Sequence, residues 1–217
     1  MKPAEVYESI GKLQIVNITL DRSVDDAQAI FESLNSTGKE LSESDLIRNY
    51  VLMGLEPAEQ TYVYERLWRP MELLFAYETQ ASVMDRFFRD YLTMKITRIP
   101  KQNRVYEEFK LYHLNCEFGT IRELCQDLLT YAKYYTDMVF KRSNNLILKS
   151  LYEDINDLRM EVSYPFLLKV HQDCTDGLIS EEELEQIIRL CISYVFRRSI
   201  CDIPTNSLNK TFATLKN

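Results

Sequence analysis

Glycine and proline are scarce, five and six in 217 residues. A sandwich of many short strands needs more turn residues than that, so an all-β fold is disfavoured. Histidine is scarcer still, with only His113 and His171. The chain has no H-E-x-x-H, no G-x-S-x-G and no Walker A lysine loop. His113 with Cys116 is an isolated pair without a second half, which makes a poor zinc site. Acidic residues are plentiful, but no pair stands out from solvated helix faces, and nothing suffices for a nuclease metal site. No catalytic residue and no metal ligand is therefore assigned.

The five cysteines are odd in number and none forms C-x-x-C. Cys116, Cys125, Cys174, Cys191 and Cys201 sit among apolar helical neighbours and read as reduced core residues of a cytosolic protein. There is no signal-peptide-like start and no apolar run of about 18 residues. The expectation is a cytoplasmic protein with no membrane partner. The Asn-x-Thr triplets at Asn17, Asn35 and Asn209 then carry no glycosylation meaning.

What is present supports a real core: 46% of residues are hydrophobic and 12% aromatic. The net charge of -7 argues against sequence-independent DNA binding over the whole surface, though not against a local basic strip. Residues 13–20, "LQIVNITL", are rich in β-branched residues and predict the one convincing strand. A lone strand needs partners, either a second copy of the chain or a sheet supplied from elsewhere.

The rest reads as helix. Ser23 caps a segment with Val24, Ala27, Ile30, Phe31 and Leu34 at helical spacing. Ser42, with Asp45 three residues on, resembles a capping box with Asp in the usual Glu place. Further helices are predicted near 58–67, 71–78, 81–96, 104–114, 120–140, 145–157, 161–173 and 181–198, and after Pro204. Pro70 is read as the break between the first two. Residues 181–198 are apolar nearly all round, the mark of a buried helix. The expected fold class is mainly α, a helical bundle with a short N-terminal β element.

The stretch "FESLNSTGKELSESDLIRNY", residues 31–50, holds the strongest candidate site. A polar loop ending at a helix N-terminus offers backbone N–H groups and a positive dipole end. Asn35 and Ser36 can hydrogen-bond there, Gly38 admits close backbone approach, and Lys39 adds charge. The plainer reading is a helix–turn–helix joint: Asn35 ends one helix, Gly38 takes a positive φ, and Ser42 starts the next.

Two other features invite a site. In "HQDCTDGLISEEELEQI", Asp176, Gly177, Ile179 and Glu183 fall at calcium-loop positions. However, Gln172 and Cys174 stand where oxygen ligands are needed. An Asp-Gly turn and a Ser180–Glu183 capping box account for the same residues. Lys95, Arg98, Lys101 and Arg104, with Arg197 and Arg198 near the end, make basic clusters able to touch phosphate backbone. Solvated loops and carboxylate-bonded arginines look the same in sequence.

"IFESLNSTGKELSESDLIRNYVL" resembles the F-x-x-x-N-x-x-G-x-x-L segment of GmrSD-like restriction endonucleases. "IVNITLDRSVDDAQ" looks like the last strand of that family's ParB-like domain entering its helix. "YVFRRSICDIPTNSLNKTF" is similar to its late helical segment. On this resemblance Phe31, Asn35, Gly38 and Leu41 match the motif, and Asp45 and Asn49 its continuation. It implies that residues 1–40 are the end of a truncated ParB-like domain and 41–217 a helical domain.

The family's upstream Asp-Gly-Gln-Gln-Arg motif and its His-Asn-His nuclease signature are both absent from this sequence. The resemblance therefore implies a non-catalytic middle region. No cofactor is expected in this chain. Nucleoside triphosphate, divalent metal and DNA would be engaged only by a full-length restriction endonuclease/NTPase acting in phage or plasmid defence. Homo-oligomerisation is a further possibility. The alternative is a helical protein-interaction or DNA-contacting scaffold with no nucleotide role.

Overall fold

Caps and apolar spacing define the elements. The computed structural model describes residues 3–14, 29–31, 33, 41–76, 81–116 and 118–215. The chain divides into two compact units, Met1–Glu40 and Leu41–Asn217. In the first, α1 spans Pro3–Ile10, a helix that the sequence reading missed. Its Val6, Tyr7 and Ile10 are exposed, so no clear apolar face announces it. Residues 29–31 and 33 are helical. Leu13 and Gln14 lie in no regular element, and the remainder of the expected strand, like the Ser23 cap, lies outside the described residues.

The second unit is a helical bundle. Its helices are α2 Glu43–Leu52, α3 Pro57–Val63, α4 Arg69–Phe75, α5 Ala81–Ile96, α6 Val105–Asn115 and α7 Ile121–Val139. After these come α8 Leu146–Asp157, α9 Tyr164–Thr175, α10 Glu181–Ile200 and α11 Leu208–Thr214. No strand occurs among the described residues, so the chain is mainly α.

Helices α5, α7 and α9 pack on one another at the centre. Helices α2 and α6 lie against α5, α4 against α7, α8 between α7 and α10, and α11 against α9. The centre is strongly aromatic. Phe87 and Tyr135 lie 5.4 Å apart, and Tyr135 and Tyr164 5.3 Å, both edge to face. Such pairs add about 0.5–1.5 kcal/mol each beyond area burial. The caps of α7 and α10 are full capping boxes, Thr120 with Glu123 and Ser180 with Glu183.

Four expectations need correction. Pro70 does not separate two helices. Helical backbone runs from Pro57 to Phe75, and a π-helical turn at Tyr64–Trp68 absorbs the proline. There the Arg69 N–H bonds Tyr64 O, five residues back, so the wider turn takes up the strain of the missing N–H. Second, α10 is not buried all round. Leu184, Ile188, Cys191 and Val195 face the core, while Leu190 is 70% and Ile200 69% exposed. Only α8 and α9 pack extensively on it, so one stripe suffices.

Third, Cys201, just past the last turn of α10, is exposed rather than in the core, and Cys116 and Cys174 are only half-buried; Cys125 and Cys191 are buried as expected. Fourth, Ser42–Asp45 is only half a capping box. The Asp45 N–H donates to Ser42 Oγ at 3.1 Å, and the Ser42 hydroxyl donates to Asp45 Oδ2 at 2.8 Å. Asp is one methylene shorter than Glu, and its carboxylate takes the Ser42 hydroxyl here, not the backbone N–H.

Candidate functional site

Asn35, Ser36, Gly38 and Lys39 lie outside the described residues. Of their neighbours, Phe31 is helical and half-buried, and Leu41 is exposed. From Leu41 the chain enters α2, whose N-terminus was the expected anion-binding end. That end is already engaged. The Ser44 N–H donates to Asp85 Oδ1 of α5 at 2.8 Å. The Asp45 N–H is held by Ser42. An aspartate here does what an anion would do, satisfying orphan donors at a positive dipole end.

Glu43 reaches in the other direction. Its Oε2 accepts the Tyr106 N–H at 2.6 Å, so α2 helps cap α6. Burial is the main reason the Glu43 carboxyl sits above its ordinary range, with that hydrogen bond opposing. Asp45 pairs with Arg48 at 3.2 Å, and Arg48 with Glu72 at 3.2 Å. Trp68 Nε1–H donates to Glu72 at 2.9 Å, tying α2 to α4 and the π turn. The backbone carbonyl of Asn49 accepts the Met53 N–H and closes the last turn of α2. The motif positions Asp45 and Asn49 thus lie on a helix locked into the bundle. A phosphate bound by the Ser44 N–H would have to displace Asp85.

Of the six predicted basic residues, Lys95, Arg98 and Arg104 have carboxylate partners. Lys95 Nζ is 2.9 Å from Asp127 Oδ2 and lies over the rings of Tyr131 at 4.5 Å and Tyr91 at 5.2 Å. The Tyr91 hydroxyl donates to the same Asp127 oxygen at 2.6 Å. Arg98 pairs with Glu108, and Arg104 with Glu107 at 2.6 Å. Lys101 and Arg197 are exposed. Arg198 donates to Tyr194 Oη at 3.2 Å and Pro204 O at 2.6 Å, fastening the segment after α10.

A cleft of about 310 Å³ lies between the C-terminal ends of α5 and α6, lined by Lys95, Arg98, Glu108, Leu111, Tyr112 and Cys116 among others. Two of the predicted basic residues, Lys95 and Arg98, share its surface.

Neither histidine joins a metal cluster, and no group of three His, Cys, Asp or Glu is set to hold a metal among the described residues. His113 Nδ1 lies 2.8 Å from the Tyr50 hydroxyl, and Cys116 Sγ bonds the His113 carbonyl. His171 is buried, 3.1 Å from the Tyr152 hydroxyl, and burial pushes its imidazole down to about 4. Burial also raises Asp90 to about 7 and Asp137 to about 6. Asp90, half-buried as a whole residue, accepts from the Tyr135 hydroxyl at 3.4 Å, and neither carboxyl lines the cleft. Burial in the packing is the largest cause of each of these shifts. In the calcium-like segment, Gly177 has φ +73° and Glu183 accepts the Ser180 N–H, as the turn-and-cap reading requires.

Sequence reasoning missed Asp85 and Glu72, which fix α2. The signal for them is weak, since Asp85 is 41 residues from the N–H it satisfies. The Lys95 cage had a readable trace, because Tyr91 stands one helical turn before Lys95 and Asp127 one turn before Tyr131.

Residues 2–52 match the family model of the GmrSD restriction endonuclease N-terminal domain. Over these residues the chain is similar to that domain. The matched stretch contains the Phe31–Leu41 motif and ends with α2 at Leu52. It covers under a quarter of the chain, and the family-like residues 194–212 lie beyond it. No curated protein and no solved structure matches the chain. Among the described residues no helix is long and apolar enough to cross a membrane.

Proposed function

We propose that this chain is the non-catalytic middle region of a nucleotide-dependent, GmrSD-like DNA restriction protein that defends its cytoplasm against foreign DNA. The observation that carries this reading is the GmrSD match over residues 2–52, which contains the whole Asn35–Leu41 motif. Residues 1–40 then contribute one wall of a nucleotide pocket. Asn35 is its hydrogen-bonder, Ser36 and Lys39 its further polar contacts, and Gly38 the point of close backbone approach. Leu41–Asn217 is the helical body between that pocket and the DNA-cleaving chemistry.

Helix α2, which follows the loop in sequence, is tied to α5 by Asp85, to α4 by Glu72 and to α6 by the Glu43–Tyr106 bond. On this reading the divalent ion and the triphosphate are bound by a longer protein carrying the Asp-Gly-Gln-Gln-Arg motif.

The test is titration of GTP, ATP and short duplex DNA into this chain and into a version extended upstream to include that motif. Nucleotide binding by the extended protein, weakened about tenfold or more by Asn35→Ala, is the expected result; tenfold corresponds to about 1.4 kcal/mol, in the range of one polar contact. Equal binding by Asn35→Ala makes residues 35–41 a structural turn. A second reading, a partner-binding helical scaffold, is favoured by the exposed apolar residues of α10. Salt-dependent DNA binding lost on changing Lys101 and Arg104 together would instead identify a DNA-contacting body.

A further inference from the structure

Helix α10 has two apolar stripes but only one core to face. Leu184, Ile188, Cys191 and Val195 are buried. On another side, Leu190 is 70% and Tyr194 42% exposed, and Cys201 is exposed too. Their spacing of four and seven residues keeps them on one strip of a 3.6-residue helix. Glu183 and Arg197, both exposed, lie on the same strip. They stand seven residues either side of Leu190, and Gln186 and Tyr194 stand four either side.

We propose that two copies of this chain associate by packing their α10 helices antiparallel about a two-fold axis at Leu190. A two-fold contact must be self-complementary, and this strip is. Antiparallel pairing centred on Leu190 sets Glu183 of each copy opposite Arg197 of the other. With a rise of about 1.5 Å per residue, the two ion pairs sit about 10 Å from the axis, with Leu190, Gln186 and Tyr194 between them. A parallel arrangement would set the acidic first turn, Glu181 to Glu183, against its own copy, and Arg197 against Arg197. That costs energy through like charges.

The strip is also preorganised. The Arg198 guanidinium lies 5.5 Å from the Tyr194 ring centroid and donates to its hydroxyl, holding the ring in place. Glu183 uses only part of its acceptor capacity on its own cap. A partner of a single charge sign would match one end of α10 and repel the other, so charge complementarity selects a second copy.

A single helix pair is a small interface, so the association is weak and depends on concentration. The test is sedimentation of the full chain from about 1 to 500 µM, at low and at 1 M salt. The expected result is a monomer–dimer equilibrium that weakens in salt, as exposed ion pairs do. Leu190→Glu should weaken it at least about tenfold, and Arg197→Glu should weaken it at low salt only. In a Cys201→Ser background, Leu190→Cys should cross-link to dimer on oxidation, because the axis brings the two copies of position 190 together. Phe196→Cys, exposed on a different side of α10, should not. Circular dichroism of each variant checks that the helices remain. A monomer at every concentration overturns the proposal. So does a dimer indifferent to Leu190→Glu, or one that Phe196→Cys cross-links as well as Leu190→Cys.

Discussion

Helices α7 and α10 have 19 and 20 residues, open on the same capping box and are both rich in apolar side chains. Nine residues of α7 are buried, from Leu124 to Met138, against four of α10. The difference lies in their neighbours. Helices α4, α5, α8 and α9 surround α7, whereas α10 has α8 and α9 on one side. Burial is therefore set by what a helix meets, and an apolar sequence states only what it is able to meet. Apolar residues left over after the core is closed, such as Leu190, are available for something outside the fold.

The sharpest way to break this comparison is truncation at matched positions. Leu128 in α7 is fully buried, while Leu190 in α10 is 70% exposed. Leu128→Ala should cost about 3 kcal/mol of stability, as core cavities usually do. Leu190→Ala should stay within about 0.5 kcal/mol in dilute solution, where the chain is monomeric. Urea denaturation of both variants decides it. A large loss at Leu190 would mean that α10 is packed on both sides after all.

The next effect depends on pH and also separates the two helices. His171 of α9 stacks against Tyr134 of α7, with ring centroids 5.6 Å apart. Burial holds its imidazole at about 4, below its ordinary value of 6.5. A base depressed in the fold stabilises it fully above its unfolded pKa. That contribution fades as pH falls from about 6.5 towards 4, because the unfolded chain then binds the proton more readily. The loss should reach about 2–3 kcal/mol. Urea midpoints at pH 7.5, 5.5 and 4.5 should fall more steeply for the native chain than for His171→Gln. Parallel slopes would show that His171 takes up its proton in the fold as readily as in the unfolded chain.

Much of this fold was legible in the sequence for plain reasons. The span 81–96 and the 120–140 segment carry regular apolar spacing, and Thr120 and Ser180 mark helix starts whose caps are local. What was not legible is nonlocal or irregular. No sequence signal tells that Asp85 fills the N-terminus of α2, because the contact spans two helices. The exposed side of α10 depended on which neighbours exist. The candidate loop itself was visible as residue types, Asn35 to Leu41, but its role depends on the chemistry around it, which residue types do not state.

Caps sharpen the comparison further. Thr120→Ala and Ser180→Ala remove equivalent hydroxyls, which accept the Glu123 and Glu183 N–H groups, each at 3.2 Å. Each should cost about 1 kcal/mol by chemical denaturation. The Ser180 change alone should also weaken self-association, because it loosens Glu183 at the edge of the proposed contact. Equal effects on association from both caps would remove α10 from the interface.

The smallest expected effect is at Pro70, and it asks what maintains the π turn. One explanation is the proline itself, whose ring cannot sit against the carbonyl of Arg66 in a regular helix. The other is the packing on both sides of the turn. Val63 lies before it, Leu67 and Trp68 within it, and Met71 and Phe75 after it, and all are buried. Relaxing a π turn to α geometry removes one residue of slack and rotates everything after it by about 100°. Met71 and Phe75 would then leave the core, at a cost far above the gain of one backbone hydrogen bond. Pro70→Ala should therefore keep the π turn and change stability by less than about 1 kcal/mol, a shift of about 2–4 °C in Tm at most. Trp68, stacked 6.0 Å from Phe88 and bonded to Glu72, should keep its buried emission. A red shift of Trp68 on Pro70→Ala would show that the proline, and not the core, holds the turn.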